Sequence, residues 1–394
     1  MKLQFAAALA ITSALAKVSP DAFKSFEDIA TENGFDSEMT TLTTSDGYNL
    51  SLYRIPRATG EAESSKPPVL IIHAQDCDMM EWLWNDADKA NALQLARAGY
   101  DVWLGNNRGN KYSNTHTSLT TKDAAYWDYY QQDMAEKDLP TFIDHILEVT
   151  GQEQLSYIGH SEGTTQMFLG ASMNPAYFKE KVKVFAALAP VASTSHITSP
   201  VAKALAPHID LLKIALADVL GYRNWFAPMP KAVHLVDAIC GGVLSFACKD
   251  FFKLLHHDGV DNFERFTVFM SNEPSGQSYR TFVYYAQMMN DGRYSLYDYG
   301  KRKNKQIYGT EEAPLVPIED LDIPVGLFSG DIDRLADPED VAFISQKLGD
   351  KVVFQKQYHL DHFSFALAKD MSYFEDVISL LDRYNKPSLD ITTI

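Results

Sequence analysis

The chain has 394 residues, 46% hydrophobic and 22% charged, the make-up of an ordinary globular protein with ample core. That length suits two or three average domains, or one α/β fold carrying a large insertion. With 35 basic against 52 acidic residues the net charge is -17, which argues against nucleic acid and anionic surfaces as partners at neutral pH.

Met1 to Ala16 has one lysine near its start and then an Ala/Leu/Ile-rich stretch ending Ala14-Leu15-Ala16. This is the pattern of a secretory signal peptide with an A-x-A cleavage site. No later apolar stretch reaches the roughly 20 residues of a membrane span, so the expected home is the secretory pathway, lysosomal or extracellular. Asp21 to Glu32 reads as a short helix, and Thr40 to Arg57 as a hairpin turning at Ser45-Asp46-Gly47. Asn49-Leu50-Ser51, within that hairpin, is a candidate N-glycosylation site. Ala58 to Pro68 is a polar loop, and Val69 to Ile72 a continuous apolar run suited to a strand covered on both faces. A helix follows over Asn91 to Ala98, a strand over Tyr100 to Leu104, and an amphipathic helix over Asp138 to Val149.

Leu155 to Ile158 is strand-like and Thr164 to Ser172 helix-compatible, with Gly159-His160-Ser161-Glu162-Gly163 between them. A strand, a sharp turn and a helix around G-x-S-x-G would push the hydroxyl of Ser161 out above the sheet edge. The turn is too tight for side chains two residues either side of the serine. Val182 to Ala189 is the next strand, closed by Pro190. Strands and helices alternate to this point, which predicts an α/β fold with a parallel, doubly wound sheet. From about Val191 to Thr310 the alternation stops. The segment is helix-like and rich in aromatics (Trp225, Phe226, Phe246, Phe251, Phe252, Phe266, Phe269), as an inserted helical cap would be. The expected division is a core over 17–190, a cap or lid over 191–310 and the rest of the core over 311–394.

Three cysteines show no metal-ligand spacing. In an oxidising lumen Cys240 and Cys248 are the pair expected to close a small loop, leaving Cys77 as a buried or unpaired thiol. The strand pattern resumes at Pro324 to Phe328 and Val352 to Gln355, and Met371 to Arg383 is a closing helix. Hydrolysis by a serine needs a base within reach of the hydroxyl, a carboxylate to orient that base and two donors for the oxyanion. In an α/β-hydrolase the partners come in the order Ser, Asp/Glu, His, on loops after later strands. Asp331, Asp333 and Asp337 follow the Pro324 strand, and His359 and His362 follow the Val352 strand. On the residues alone the choice among them is open.

Several longer stretches bear a family pattern: Thr44-Ser45-Asp46-Gly47-Tyr48 with Arg54-Ile55-Pro56, Gly99 through Asn110, Tyr126-Trp127-Asp128, Asp138-Leu139-Pro140, Gly159 to Gln166 and Ala187 to Ala192. In these, taken in order, the chain resembles the acid lipases, the family that includes gastric and lysosomal acid lipase. The resemblance spans nearly the whole mature chain and is weakest in the cap. It implies an α/β-hydrolase fold with a helical cap and no metal or cofactor. The implied activity is hydrolysis of fatty-acid esters, triacylglycerols or sterol esters, with a neutral lipid at a lipid–water interface as partner. The family's acidic loop, Asp-x-Leu-Ala-Asp, falls on Asp333 to Asp337 and implies Asp333. Its histidine motif, with an aromatic three and an aspartate eight residues on, is met by His362 with Phe365 and Asp370.

Two departures bear on the oxyanion hole. The loop that usually reads His-Gly and an apolar residue is here His73-Ala74-Gln75, and the glutamine after the nucleophile is here Glu162. The implied donors are the backbone N–H groups of Gln75 and Glu162. Ala74 would hinder the first if its position required positive φ. An ionised Glu162 would oppose a developing oxyanion, so its carboxyl is expected to be protonated at working pH. An esterase for short soluble esters and a catalytically silent lipid-binding protein are the alternatives these residues leave.

Overall fold

The computed structural model describes residues 19–62, 64, 66–228 and 259–385. The expected leader over 1–16, Cys240 and Cys248, and the aromatics Phe246, Phe251 and Phe252 lie outside them. Among the described residues the strands are β1 (Glu38–Thr43), β2 (Tyr48–Ile55), β3 (Pro68–Ile72), β4 (Asp101–Gly105), β5 (Thr115–His116), β6 (Leu155–His160), β7 (Val182–Leu188), β8 (Asn224–Trp225), β9 (Gln277–Ser278), β10 (Val325–Gly330) and β11 (Val352–Tyr358). The main sheet runs β1-β2-β4-β3-β6-β7-β10-β11, with β5 added to β2. β1, β2, β4 and β5 meet antiparallel, and every pairing from β4 through β3 to β11 is parallel.

The centre of this sheet is apolar on both sides, as parallel strands under two helical layers must be. In β3, Leu70 and Ile72 enter one core, and Val69 and Ile71 the other. Each such side chain stabilises the fold by about 1.5–3 kcal/mol. The first core is covered by helices α2 (Leu139–Thr150), α3 (Glu162–Met173) and α5 (Pro338–Leu348), the second by α1 (Asn91–Arg97) and α6 (Tyr373–Asn385). α2 shows why: Leu139, Phe142, Ile143 and Ile146 recur at three- and four-residue spacing and are its buried face.

Between β7 and β10 the described residues form short helices, the β8–β9 pair and one longer helix, α4 (Tyr279–Asp291). α4 is bound to the core rather than standing off it. Its Val283, Tyr284 and Met288 share the core of α2 and α3. Phe266, Val268 and Phe269 pack with Ala74 and Trp84 near the end of β3. Among the described residues of this segment helices prevail, and β8 and β9 form a small sheet of their own. The expected continuous helix over Asp21 to Glu32 is two pieces, a short turn at Pro20–Phe23 and a helix at Phe26–Glu32 capped by Ser25. Capping explains the break, because the Ser25 hydroxyl accepts from Asp28 N–H and the Asp28 carboxylate from Ser25 N–H.

Candidate active site

Ser161 sits between β6 and α3 with φ 50° and ψ −110°, a strained backbone for a residue with a Cβ. The flanking glycines have steric causes. A Cβ on Gly159 would lie 2.6 Å from the carbonyl carbon of Gly163, and one on Gly163 would fall inside the carbonyl oxygen of Ile72. The elbow is thus pressed against the end of β3, next to the loop His73–Gln75.

Three side chains meet above that elbow. His362 Nε2 is 2.8 Å from Ser161 Oγ, and its Nδ1 lies 2.9 Å and 3.1 Å from the two carboxylate oxygens of Asp333. Nδ1–H donates to Asp333, which leaves Nε2 to accept from the serine hydroxyl. Asp333 Oδ1 also accepts from the N–H groups of Leu335 and Ala336, at 2.8 and 2.9 Å. Burial alone would raise the Asp333 carboxyl, but the imidazole and these two donors bring it below the ordinary carboxylate range. Burial works against a charged imidazole, yet Asp333 carries His362 above its ordinary value.

The other candidates are engaged elsewhere. His359 Nδ1 pairs with Asp331 at 3.0 Å, with side chains 71% and 43% exposed. Asp337 caps α5, accepting from Glu339 N–H at 3.0 Å. Asn49 lies on β2 between two strands; its side chain accepts from Thr43 Oγ1 and donates to Thr115 Oγ1. Cys77 is a free, buried thiol.

Glu162 opens α3 fully buried. At the first helical position its N–H has no intrahelical acceptor. Its carboxyl accepts from Gln131 Nε2 at 2.8 Å and from Gln277 Nε2, on β9, at 2.7 Å. Burial pushes this carboxyl up to about 8, the two neutral amides opposing it only in part. The carbonyl oxygens of both glutamines are buried without a partner, so turning either amide over would present an acceptor to a protonated Glu162. Positive φ falls on Asp76 (64°) and not on Ala74, so the alanine meets no conformational obstacle. Gln75 reaches α4 through a 3.2 Å bond from Nε2 to Thr281 Oγ1.

The side chains of Asn106 and Arg108, on the loop after β4, bond to residues other than the triad. Arg108 pairs with Asp138 and Asp46 and stacks on Tyr48, 4.1 Å from its ring centre. His73 Nε2 accepts from Asn107 N–H at 3.2 Å, and Asn106 donates to Ser51 O. Sequence reading missed Gln131 and Gln277, which only the fold brings to Glu162. It also missed Glu81, a lone carboxyl in the apolar run Met79–Trp84. That isolation was a signal, since a charge amid such a run is buried with a partner or not at all.

The sheet order, the elbow and the Ser–His–Asp arrangement define an α/β-hydrolase. Comparison with known proteins agrees: the alpha/beta hydrolase fold family matches residues 67–366, and the partial alpha/beta-hydrolase lipase region matches residues 26–86. The chain is 33% identical to gastric triacylglycerol lipase of Bos taurus over 92% of each protein. It is 32% identical to lipase member K of Homo sapiens, over 93% of this chain and 92% of that one, and 35% identical to lipase lipl-1 of Caenorhabditis elegans, over 88% and 89%. In fold it is similar to a thermostable carboxyl esterase from Bacillus coagulans, with TM-score 0.52 and 15% identity over 89% of this chain and 99% of that one. The chain belongs to the acid lipase family.

Proposed function

We propose that the protein hydrolyses carboxylic esters of long-chain fatty acids, with Ser161 as nucleophile, His362 as general base and acid, and Asp333 as the carboxylate that orients the histidine. The observation that carries this is the unbroken chain of hydrogen bonds from Ser161 Oγ through His362 to Asp333. His362 takes the hydroxyl proton as Ser161 adds to the ester carbonyl, then gives it to the departing alcohol, leaving an acyl-serine. Water adds to the acyl-serine, its proton passing through His362 back to Ser161 as the fatty acid leaves. The N–H groups of Gln75 and Glu162 are the proposed oxyanion donors, from the loop and the helix start that the elbow brings together.

A neutral lipid at a lipid–water interface is the proposed substrate. The gastric triacylglycerol lipases among the relatives support it. So does the segment 201–226, where Leu211, Val219 and Leu220 are 67%, 75% and 72% exposed. We assign 191–310 as cap and lid, and the N-terminal 16 residues as the leader to a secreted or lysosomal destination. Among the described residues no helix is long and apolar enough to cross a membrane. A fluorophosphonate probe and an ester chain-length series test the reading together. Labelling should be lost in Ser161→Ala, and rates should rise with chain length and with emulsified substrate. Equal labelling of the variant, or no labelling of wild type at any pH, would refute it; a preference for short soluble esters would replace lipase by esterase.

A further inference from the structure

A second buried carboxyl stands behind the triad. Glu81 and His160 are both fully buried and bonded to one another, Oε1 to Nδ1. Glu81 Oε2 accepts from Ala74 N–H at 2.7 Å. His160 Nε2 lies 2.9 Å from the backbone carbonyl oxygen of His362, and the two imidazole centres are 5.1 Å apart. A carbonyl only accepts, so His160 carries a proton on Nε2, and one further proton sits between Nδ1 and Glu81. The pair is neutral as a whole and all its inner bonds are made.

What these bonds join is specific. Ala74 precedes the proposed donor Gln75, His160 precedes Ser161, and the carbonyl belongs to His362 itself. Two of these segments bond to Glu81 directly and the third, that of His362, is reached through His160; Glu81 itself comes from a fourth, the turn Met79–Leu83. Glu81 shares no bond with Glu162 or Asp333, whose partners are Gln131 and Gln277 for the one and His362 for the other, so this is a separate tie.

We infer that Glu81 is a positioning residue, whose carboxyl spans Ala74 N–H and His160 and so holds the Gln75 loop and the His362 backbone in register with Ser161. The inference rests on the hydrolase reading given above. It is a claim about span. A glutamine at 81 has the same length: its carbonyl accepts from Ala74 and its N–H donates to His160 Nδ1, leaving Nε2–H on the His362 carbonyl. An aspartate keeps the carboxyl but is one methylene short of reaching both partners.

The test compares Glu81→Gln and Glu81→Asp by kcat and KM on a soluble ester, per site titrated with a phosphonate, so that only folded enzyme is counted. Glu81→Gln is expected within about threefold of wild type. Glu81→Asp should lose about 100-fold in kcat with KM little changed, the effect of misplacing reacting groups by about 1 Å. If Glu81→Asp gives no folded protein, His160→Asn shortens the other half of the tie and should show the same loss. Wild-type kcat in Glu81→Asp, or a Glu81→Gln as impaired as Glu81→Asp, overturns the inference. A wild type that neither turns over ester nor labels at Ser161 shows instead that the hydrolase reading has failed.

Discussion

Replacing Glu162 by glutamine changes one buried atom and removes one titration. Its carboxyl is carried by burial to about 8 in the fold, whereas in the unfolded chain a glutamate titrates near about 4.3. The folded pKa is raised, so the neutral carboxyl costs nothing extra in acid. Stability then falls as pH rises from the unfolded value through the folded one. At about 1.4 kcal/mol per unit, the loss is about 1 kcal/mol at pH 5, about 3.6 at pH 7 and about 5 well above pH 8. Glutamine bears none of it. The stability difference between Glu162→Gln and wild type should therefore widen by about 2–3 kcal/mol between pH 5 and 7, about 3 °C in melting temperature for a chain of this size. Activity should follow the same titration. The ratio of variant to wild-type kcat/KM should stay near unity in acid and rise about tenfold above pH 8, where a carboxylate beside the proposed oxyanion opposes the transition state. Paired melts at pH 5 and 7 with a pH–rate profile on one soluble ester make the assay. A pH-independent stability gap together with parallel rate profiles would refute the reasoning.

Other outcomes follow from single contacts. Asp333→Asn should lower kcat by about 10⁴, as removing the orienting carboxylate does in other triads. It should also move the acid limb of the residual kcat/KM to lower pH, because Asp333 is what raises His362; a limb that stays in place would contradict this. Gly163→Ala drives a methyl into the carbonyl of Ile72, so it should destabilise by about 1–3 kcal/mol or fail to accumulate, read by denaturant unfolding. Arg108→Leu leaves Asp138 buried and unpaired and should cost about 3–5 kcal/mol in the same assay, with the pH profile of the folded enzyme unchanged. His359→Ala, which breaks only an exposed pair with Asp331, should alter stability by less than about 0.5 kcal/mol and leave kcat intact.

Much of this was legible in the residues. The continuous apolar run of β3, the glycines around Ser161 and the alternation up to Pro190 follow from local rules: a strand covered on both faces has no polar side, and a tight elbow admits no Cβ. The order of the pieces along the chain is also local information, and it limited the partners of Ser161 to three aspartates and two histidines. Spacing could not choose among them. Asp331 and Asp333 are two residues apart, yet one meets His359 at the surface and the other meets His362 in the interior. The choice lies in which way each loop turns after its strand. Likewise, only the fold brings Gln131 and Gln277 to Glu162, across 31 and 115 residues of chain, or joins His160 to the backbone of His362 across 202. The sequence by itself determined the layered sheet, the strained serine and the kinds of side chain available to it, because those depend on neighbours within a few residues. Only the tertiary structure decided which carboxyls are charged, neutral or tied, since a carboxyl's state depends on burial and on partners brought from distant parts of the chain.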